Sequence, residues 1–125
     1  DETWLRSVRN LLSKRGVSFE EPRLSGETTP CCGYGGLAWD ANPQLASAIA
    51  ADRAGQLEHD AVTSCIMCRE RLVAEGKPSL HMLDLLYPGE SLHAAAVAKG
   101  SGLSARRAGR AALRTECSGD MPGKA

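Results

Sequence analysis

Apolar positions recur at helical spacing near the start of the chain. Trp4, Leu5, Val8, Leu11 and Leu12 share one face, and Gly16 follows them. The pattern predicts a helix over Trp4–Arg15. Val17-Ser18-Phe19 alternates and predicts a short strand. Residues 20–29 are polar, with Pro22 and Gly26, and read as a loop. Residues 30–36 hold too much glycine for a regular element. Asn42-Pro43 is a helix start, a capping Asn before Pro in the first turn, and Leu45, Ile49 and the alanines carry that helix to about Leu57. Ala61-Val62-Thr63 predicts a short buried strand. Ser64 or Cys65 opens a helix that runs to Glu75 and stops at Gly76. Leu80, Leu83, Leu86 and Tyr87 predict a further short helix before Pro88-Gly89. Ser91–Ala98 reads as helical, and Ser104 caps a basic helix over Ala105–Arg114. The alternation of helix and strand predicts an α/β fold in three layers, a small parallel sheet flanked by helices.

Composition adds limits. A chain of 125 residues is enough for one domain. With one Phe, two Trp and two Tyr, the core must rest on Leu, Val, Ile and Ala. The formal charge of zero gives no case for nucleic-acid binding. Charge is nevertheless uneven: residues 1–98 carry 9 basic and 13 acidic side chains, and residues 99–125 carry 6 and 2. The division sets a main domain over 1–98 apart from a basic helix and flexible tail over 99–125. No run approaches the roughly 18 apolar residues of a membrane span. No signal peptide is visible, so the expected location is cytoplasmic.

The cysteines carry the chemistry. Four of the five sit in two tight pairs, Cys31-Cys32 and Cys65-Ile66-Met67-Cys68. In a reducing compartment such pairs read as metal ligands or redox groups. Two thiols three residues apart at a helix start lie on one side of the first turn, where free backbone N–H groups favour negative sulfur. Cys65 follows a predicted strand, which places it at the carboxyl end of a parallel sheet, where α/β proteins build sites. The adjacent pair is more discriminating. Neighbouring side chains diverge on an extended backbone, and reach different irons of one cluster more easily than one tetrahedral ion. Gly33, Gly35 and Gly36 let the backbone come close to a cofactor, with N–H groups able to bond cluster sulfurs. Cys117, in the tail, belongs to neither motif.

Cys31-Cys32-Gly33-Tyr34-Gly35-Gly36-Leu37, Thr63-Ser64-Cys65-Ile66-Met67-Cys68 and His81-Met82-Leu83-Asp84-Leu85 together resemble a CCG-type cysteine-rich domain. That domain occurs in the heterodisulfide reductase B subunit and in iron–sulfur subunits linked to glycolate, lactate and glycerol-3-phosphate oxidation. The resemblance covers about residues 4–114 and is specific in 30–37 and 60–86. It implies a 4Fe–4S cluster, non-cubane in the best-understood members, held here by Cys31, Cys32, Cys65 and Cys68. It also implies one more ligand cysteine upstream, in a window that falls before Asp1, so the domain is expected to lack its first part. The 32 residues between Cys32 and Cys65 are slightly fewer than the family carries. The function so implied is an electron-transfer or disulfide-reductase-type module, one component of an oxidoreductase. Its expected partner is a flavoprotein or another iron–sulfur subunit, with any membrane association made through that partner.

Two other chemistries fit the same four thiols. A Cys₄ set also suits zinc in a structural or interaction domain, and a Cys-x-x-Cys pair can act as a metal-free redox dithiol. Beside these, His81 is read as a helix cap or core group, His59 and His93 as surface residues, and Trp4 as core. Trp39 is read as a core or cluster-shielding ring. The arginines at 106, 107, 110 and 114 are read as a solvated helix face, with a docking surface for an acidic partner as the alternative. No Ser/His/Asp set or phosphate loop is present.

Overall fold

The structure is a computed structural model that describes residues 2–100. The predicted basic helix over 105–114 and the tail with Cys117 lie outside the described residues. The fold is small and α/β: among the described residues, six α-helices and a 3₁₀ turn at Gly26–Thr28 surround a parallel sheet of two strands. Strand β1 (Ala61–Thr63) runs through helix α4 (Ile66–Ala74) into β2 (Ser79–His81), with Ala61 opposite Ser79, Val62 opposite Leu80 and Thr63 opposite His81. A parallel pair needs such a crossover, and the short loops on either side of α4 put both strand ends on the same side.

The helix ends follow their sequences. Helix α1 (Glu2–Lys14) closes on Gly16 at φ 68°, with the Val17 N–H on the Leu12 carbonyl and the Gly16 N–H on the Ser13 carbonyl. Helix α4 ends the same way: Gly76 sits at φ 82°, Lys77 N–H bonds Leu72 and Gly76 N–H bonds Val73. In helix α3 (Pro43–Gly55) the Asn42 side chain accepts the Leu45 N–H at 3.0 Å, a cap that contributes about 1 kcal/mol. A four-residue helix, α2 (Ala38–Ala41), precedes it, entered through Leu37 at φ 61°. Helices α5 (Met82–Leu86) and α6 (Leu92–Val97) complete the chain, α6 capped by Ser91.

Three expectations change. Residues 17–19 form no strand: sheet pairing stops at β1 and β2, and an alternating triplet without a partner ladder stays irregular. The segment Ser79–His81 is instead a strand, and the helix expected from Leu80 begins only at Met82. Strand β1 is also not fully buried, because Val62, its middle residue, lines an open groove and is exposed.

The buried apolar set is thin: Leu12, Ala46, Ala50, Leu72, Val73 and Ala96. Half of these are alanines, so hydrogen-bonded arginines supplement the core. The buried Arg69 donates from Nε to the Ser79 carbonyl at 3.1 Å, and from Nη2 to the carbonyls of Ala95 and, at 3.0 Å, Ala98. It thereby ties α4 to β2 and to the end of α6. Arg71 bonds Ser47 and Glu75 and lies over the Trp39 ring at 3.8 Å, which joins α2 and α3 to α4. Arg15 reaches the Leu85 and Leu86 carbonyls and closes the end of α5. Trp4, expected in the core, is 49% exposed: it stands in the first turn of α1, two turns before Leu12, where that helix is buried.

Candidate functional site

The carboxyl ends of β1 and β2 carry the site. Beyond Thr63 the chain turns through Ser64-Cys65 into α4, and two side chains hold that turn. Thr63 Oγ1 donates to the Cys65 carbonyl at 3.0 Å. His81, the last residue of β2, has its Nε2 3.1 Å from the Ser64 carbonyl while its Nδ1 accepts the Leu83 N–H at 3.2 Å. A nitrogen that accepts an amide proton carries none itself, so the ring is the neutral tautomer with its proton on Nε2, donated to Ser64. Asp84 completes a capping box by accepting the His81 N–H at 2.8 Å. His81 is thus the helix cap expected from the sequence, and also a strut beneath the Cys65 turn.

Cys65 stands at the N-cap of α4, exposed, and makes no capping hydrogen bond of ordinary geometry. The Cys68 N–H, and behind it the Met67 N–H and the Cys68 thiol, outweigh partial burial and hold its thiol below the ordinary range. Cys68, one turn on, is half-buried. Burial pushes its thiol up, and the neighbouring sulfurs of Cys32 and Cys65 push it the same way. From the other side the glycine loop delivers Cys32, whose Sγ lies 2.9 Å from that of Cys68. All four motif cysteines are free thiols.

Gly33 explains how the loop reaches this position. It is buried at φ 80°, and a Cβ there would overlap the Ala46 carbonyl oxygen of α3. Only glycine lets the loop lie against that helix and turn Cys32 inward. The Gly33 N–H donates to the Cys31 sulfur at 3.3 Å, so one loop amide does bond a cysteine sulfur. Gly35 and Gly36 are exposed with open space around them. They shape the turn into α2.

Cys32, Cys65 and Cys68 line one groove of about 980 Å³ with Leu12, Phe19 and Val62. Cys31 is not in its lining; its thiol is exposed and turned to the Gly33 amide. Trp39 is not in the lining either, and its ring is engaged by Arg71. His59 and His93 are at the surface, as expected. Among the described residues, no three or more His, Cys, Asp or Glu side chains are disposed to hold one metal ion. The groove itself was not foreseen in the sequence, because it arises from residues 17–30 lying apart from β1.

A cluster or metal can be tested against this donor set. Three thiols line one groove without forming a ligand set as they stand, and helix amides favour thiolate at one of them, the donor chemistry that a soft cation takes. Sulfurs that share one tetrahedral ion lie about 3.8 Å apart, given metal–sulfur bonds of ~2.3 Å. Cys32 and Cys68 must therefore part by roughly 1 Å to share one ion, and farther to reach separate irons of a cluster, and Cys31 must turn inward to join them. Both adjustments would fall on the loop that carries Cys31 and Cys32. No family model, curated protein or solved structure matches this chain.

Proposed function

We propose that this chain holds an iron–sulfur cluster and acts as an electron-transfer or disulfide-reducing module of an oxidoreductase. The observation that carries the reading is the meeting of Cys32 with Cys65 and Cys68 at the carboxyl ends of two parallel strands, Cys31 lying next in the chain. Cys65 and Cys68 would form the fixed half of the site, held by α4 and by the Thr63 and His81 struts. Cys31 and Cys32 would form the adjustable half, on a loop hinged at Gly33. When bound, such a cluster supplies one-electron redox chemistry at a potential set by hydrogen bonds to sulfur and by exposure. The chain's own contribution is to hold four thiolates, to offer amides such as that of Gly33 to their sulfurs, and to leave the groove side open to a substrate or a partner.

The motif resemblance supports the same reading and names the partner class, a flavoprotein or a second iron–sulfur subunit. Free thiols in this density suit a reducing compartment such as the cytoplasm. Among the described residues no helix is long and apolar enough to cross a membrane.

The test is anaerobic reconstitution of the 125-residue chain with iron and sulfide. Iron and acid-labile sulfide bound in near-equal amounts, with a visible charge-transfer absorption, are expected. Zinc bound at one per chain with iron and sulfide rejected would replace this reading with a structural zinc domain.

A further inference from the structure

We infer that the metal-free chain carries out thiol–disulfide exchange, and that its stable oxidised form is a disulfide between Cys32 and Cys68. Two observations carry this. The two sulfurs lie 2.9 Å apart although 36 positions separate them in the chain, so a bond of about 2.05 Å needs them to close by less than 1 Å. Cys65 stands three residues before Cys68 at the start of α4, lines the same groove and is exposed where Cys68 and Cys32 are half-buried, so an incoming disulfide meets it first.

The exchange balances without any metal. The oxidant is a low-molecular-weight disulfide, RSSR. The Cys65 thiolate attacks one of its sulfurs, the S–S bond breaks, and RS⁻ leaves. The Cys68 thiolate then attacks the Cys65 sulfur and expels the second RS⁻, which leaves a bond between Cys65 and Cys68. The Cys32 thiolate attacks the Cys68 sulfur, and Cys65 departs as the thiolate it began as. Two protein thiols have been oxidised, one RSSR has become two RSH, and the protons of Cys32 and Cys68 end on those products. Cys65 returns to its starting state, so the third thiol separates the entry point of oxidation from the place where it is stored. The stored bond clips the glycine loop to α4 and removes two of the four cluster thiolates, which makes oxidation and cluster loading mutually exclusive.

Glutathione disulfide at graded ratios to glutathione, added to the metal-free 125-residue chain, tests this by mass spectrometry of tryptic peptides. Trypsin places Cys31 and Cys32 in the peptide 24–53, and Cys65 and Cys68 in the peptide 54–69. A cross-link between the two peptides is expected in the wild type and in Cys31→Ser. Cys32→Ser should lose that cross-link and accumulate a loop within 54–69. Cys65→Ser should still form the cross-link, about tenfold more slowly, because its direct entry point is gone. A wild type that stays reduced, that forms only the loop within 54–69, or that needs Cys31 for the cross-link overturns the inference. Because the assay uses no iron, its outcome is read separately from that of reconstitution.

Discussion

His81 Nε2 and the Ser64 carbonyl meet at 3.1 Å, so the residue that ends one strand supports the turn that ends the other. Its second ring nitrogen caps α5 through Leu83. His81→Ala removes both bonds and should destabilise the fold by about 1–2 kcal/mol. His81→Asn keeps a short acceptor for the Leu83 N–H but lacks the reach to Ser64. It should recover most of the stability while leaving the Cys65 turn unsupported. Urea unfolding reads the first effect, and the alkylation rate of Cys65 in folded protein reads the second. Equal behaviour of the two variants in both assays would show that His81 is only a cap.

The glycine loop makes a graded prediction. Gly33→Ala meets the Ala46 backbone at a positive φ, and neither can yield, so a loss of about 2–4 kcal/mol is expected. Gly36→Ala faces open space but keeps φ at 64°, and should lose only about 1 kcal/mol. Gly35→Ala has open space and no positive φ, and should fall within about 0.5 kcal/mol of the wild type. Urea midpoints for the three variants check the ranking. Equal costs at Gly33 and Gly35 would mean that the loop does not rest on α3.

How far this was legible in the sequence depends on whether a signal was local. Asn42-Pro43, Gly76 and the Cys65 helix start act within one turn of themselves, and the structure follows them. The strand at Ser79–His81 was hidden because three residues ending in a helix cap carry no period of their own. Only the ladder with β1 defines it, and ladders join residues distant in sequence. Residues 17–19 failed for the converse reason: they alternate but find no ladder. In the site, spacing alone led to Cys65, Cys68 and their helix. It could not indicate that Cys32 faces Cys68 while Cys31 turns toward the Gly33 amide, since that choice is made by contact with Ala46. Nothing local marks the arginines at 69 and 71 as buried, yet both are: Arg69 bonds carbonyls of β2 and of the end of α6, and Arg71 bonds Ser47 and Glu75 over the Trp39 ring.

The pair Arg9–Glu21 joins α1 to the loop after it, with a second guanidinium contact at 3.0 Å and the Ser25 hydroxyl on the same carboxylate. Arg9, with help from Ser25, holds the Glu21 carboxyl below its ordinary 4.5. A carboxyl lowered on folding stabilises the fold above its unfolded value and loses that contribution as pH falls through its folded value. Glu21→Gln should therefore cost up to about 1 kcal/mol near neutral pH, a modest figure because the pair is exposed. The difference from wild type should vanish as pH drops through and below 4.5. Urea unfolding of both proteins across that range is the check, and a gap that persists at the acidic end would mean that Glu21 acts through packing instead of charge.

The two cysteines of α4 should differ in reactivity. Cys65 is exposed and titrates below the ordinary thiol value of 9.0, whereas Cys68 is half-buried and titrates above it. In reduced, metal-free protein, iodoacetamide should modify Cys65 first and Cys68 last. Below pH 9.0 Cys65 should carry the larger thiolate fraction of the two and stay ahead of Cys68 in rate. Fragmentation of the peptide 54–69 after short labelling assigns each site. Faster labelling at Cys68 would contradict the placement of Cys65 over the first turn of α4.

Cluster binding should follow the division between a fixed and an adjustable half of the site. Cys65→Ser and Cys68→Ser each remove a thiolate from a rigid helix start that no neighbour can replace, and should abolish or sharply reduce bound iron and sulfide. Cys32→Ser should do the same, since its sulfur is the one the loop delivers to Cys68. Cys31→Ser should lose less, because its sulfur must first leave the Gly33 amide to join the others. Cys117→Ser lies outside both motifs and should bind as the wild type does. Gly33→Ala serves as the control that keeps every thiol and moves only the loop: it should lose iron in proportion to its displacement of Cys32, while Gly35→Ala retains it. Iron and acid-labile sulfide per chain after anaerobic reconstitution, measured for the seven variants and the wild type, give the order. If Cys31→Ser loses as much iron as Cys68→Ser, the loop turns fully on loading and the two halves act as one. If Gly33→Ala binds as well as the wild type, the glycine loop has no part in the site.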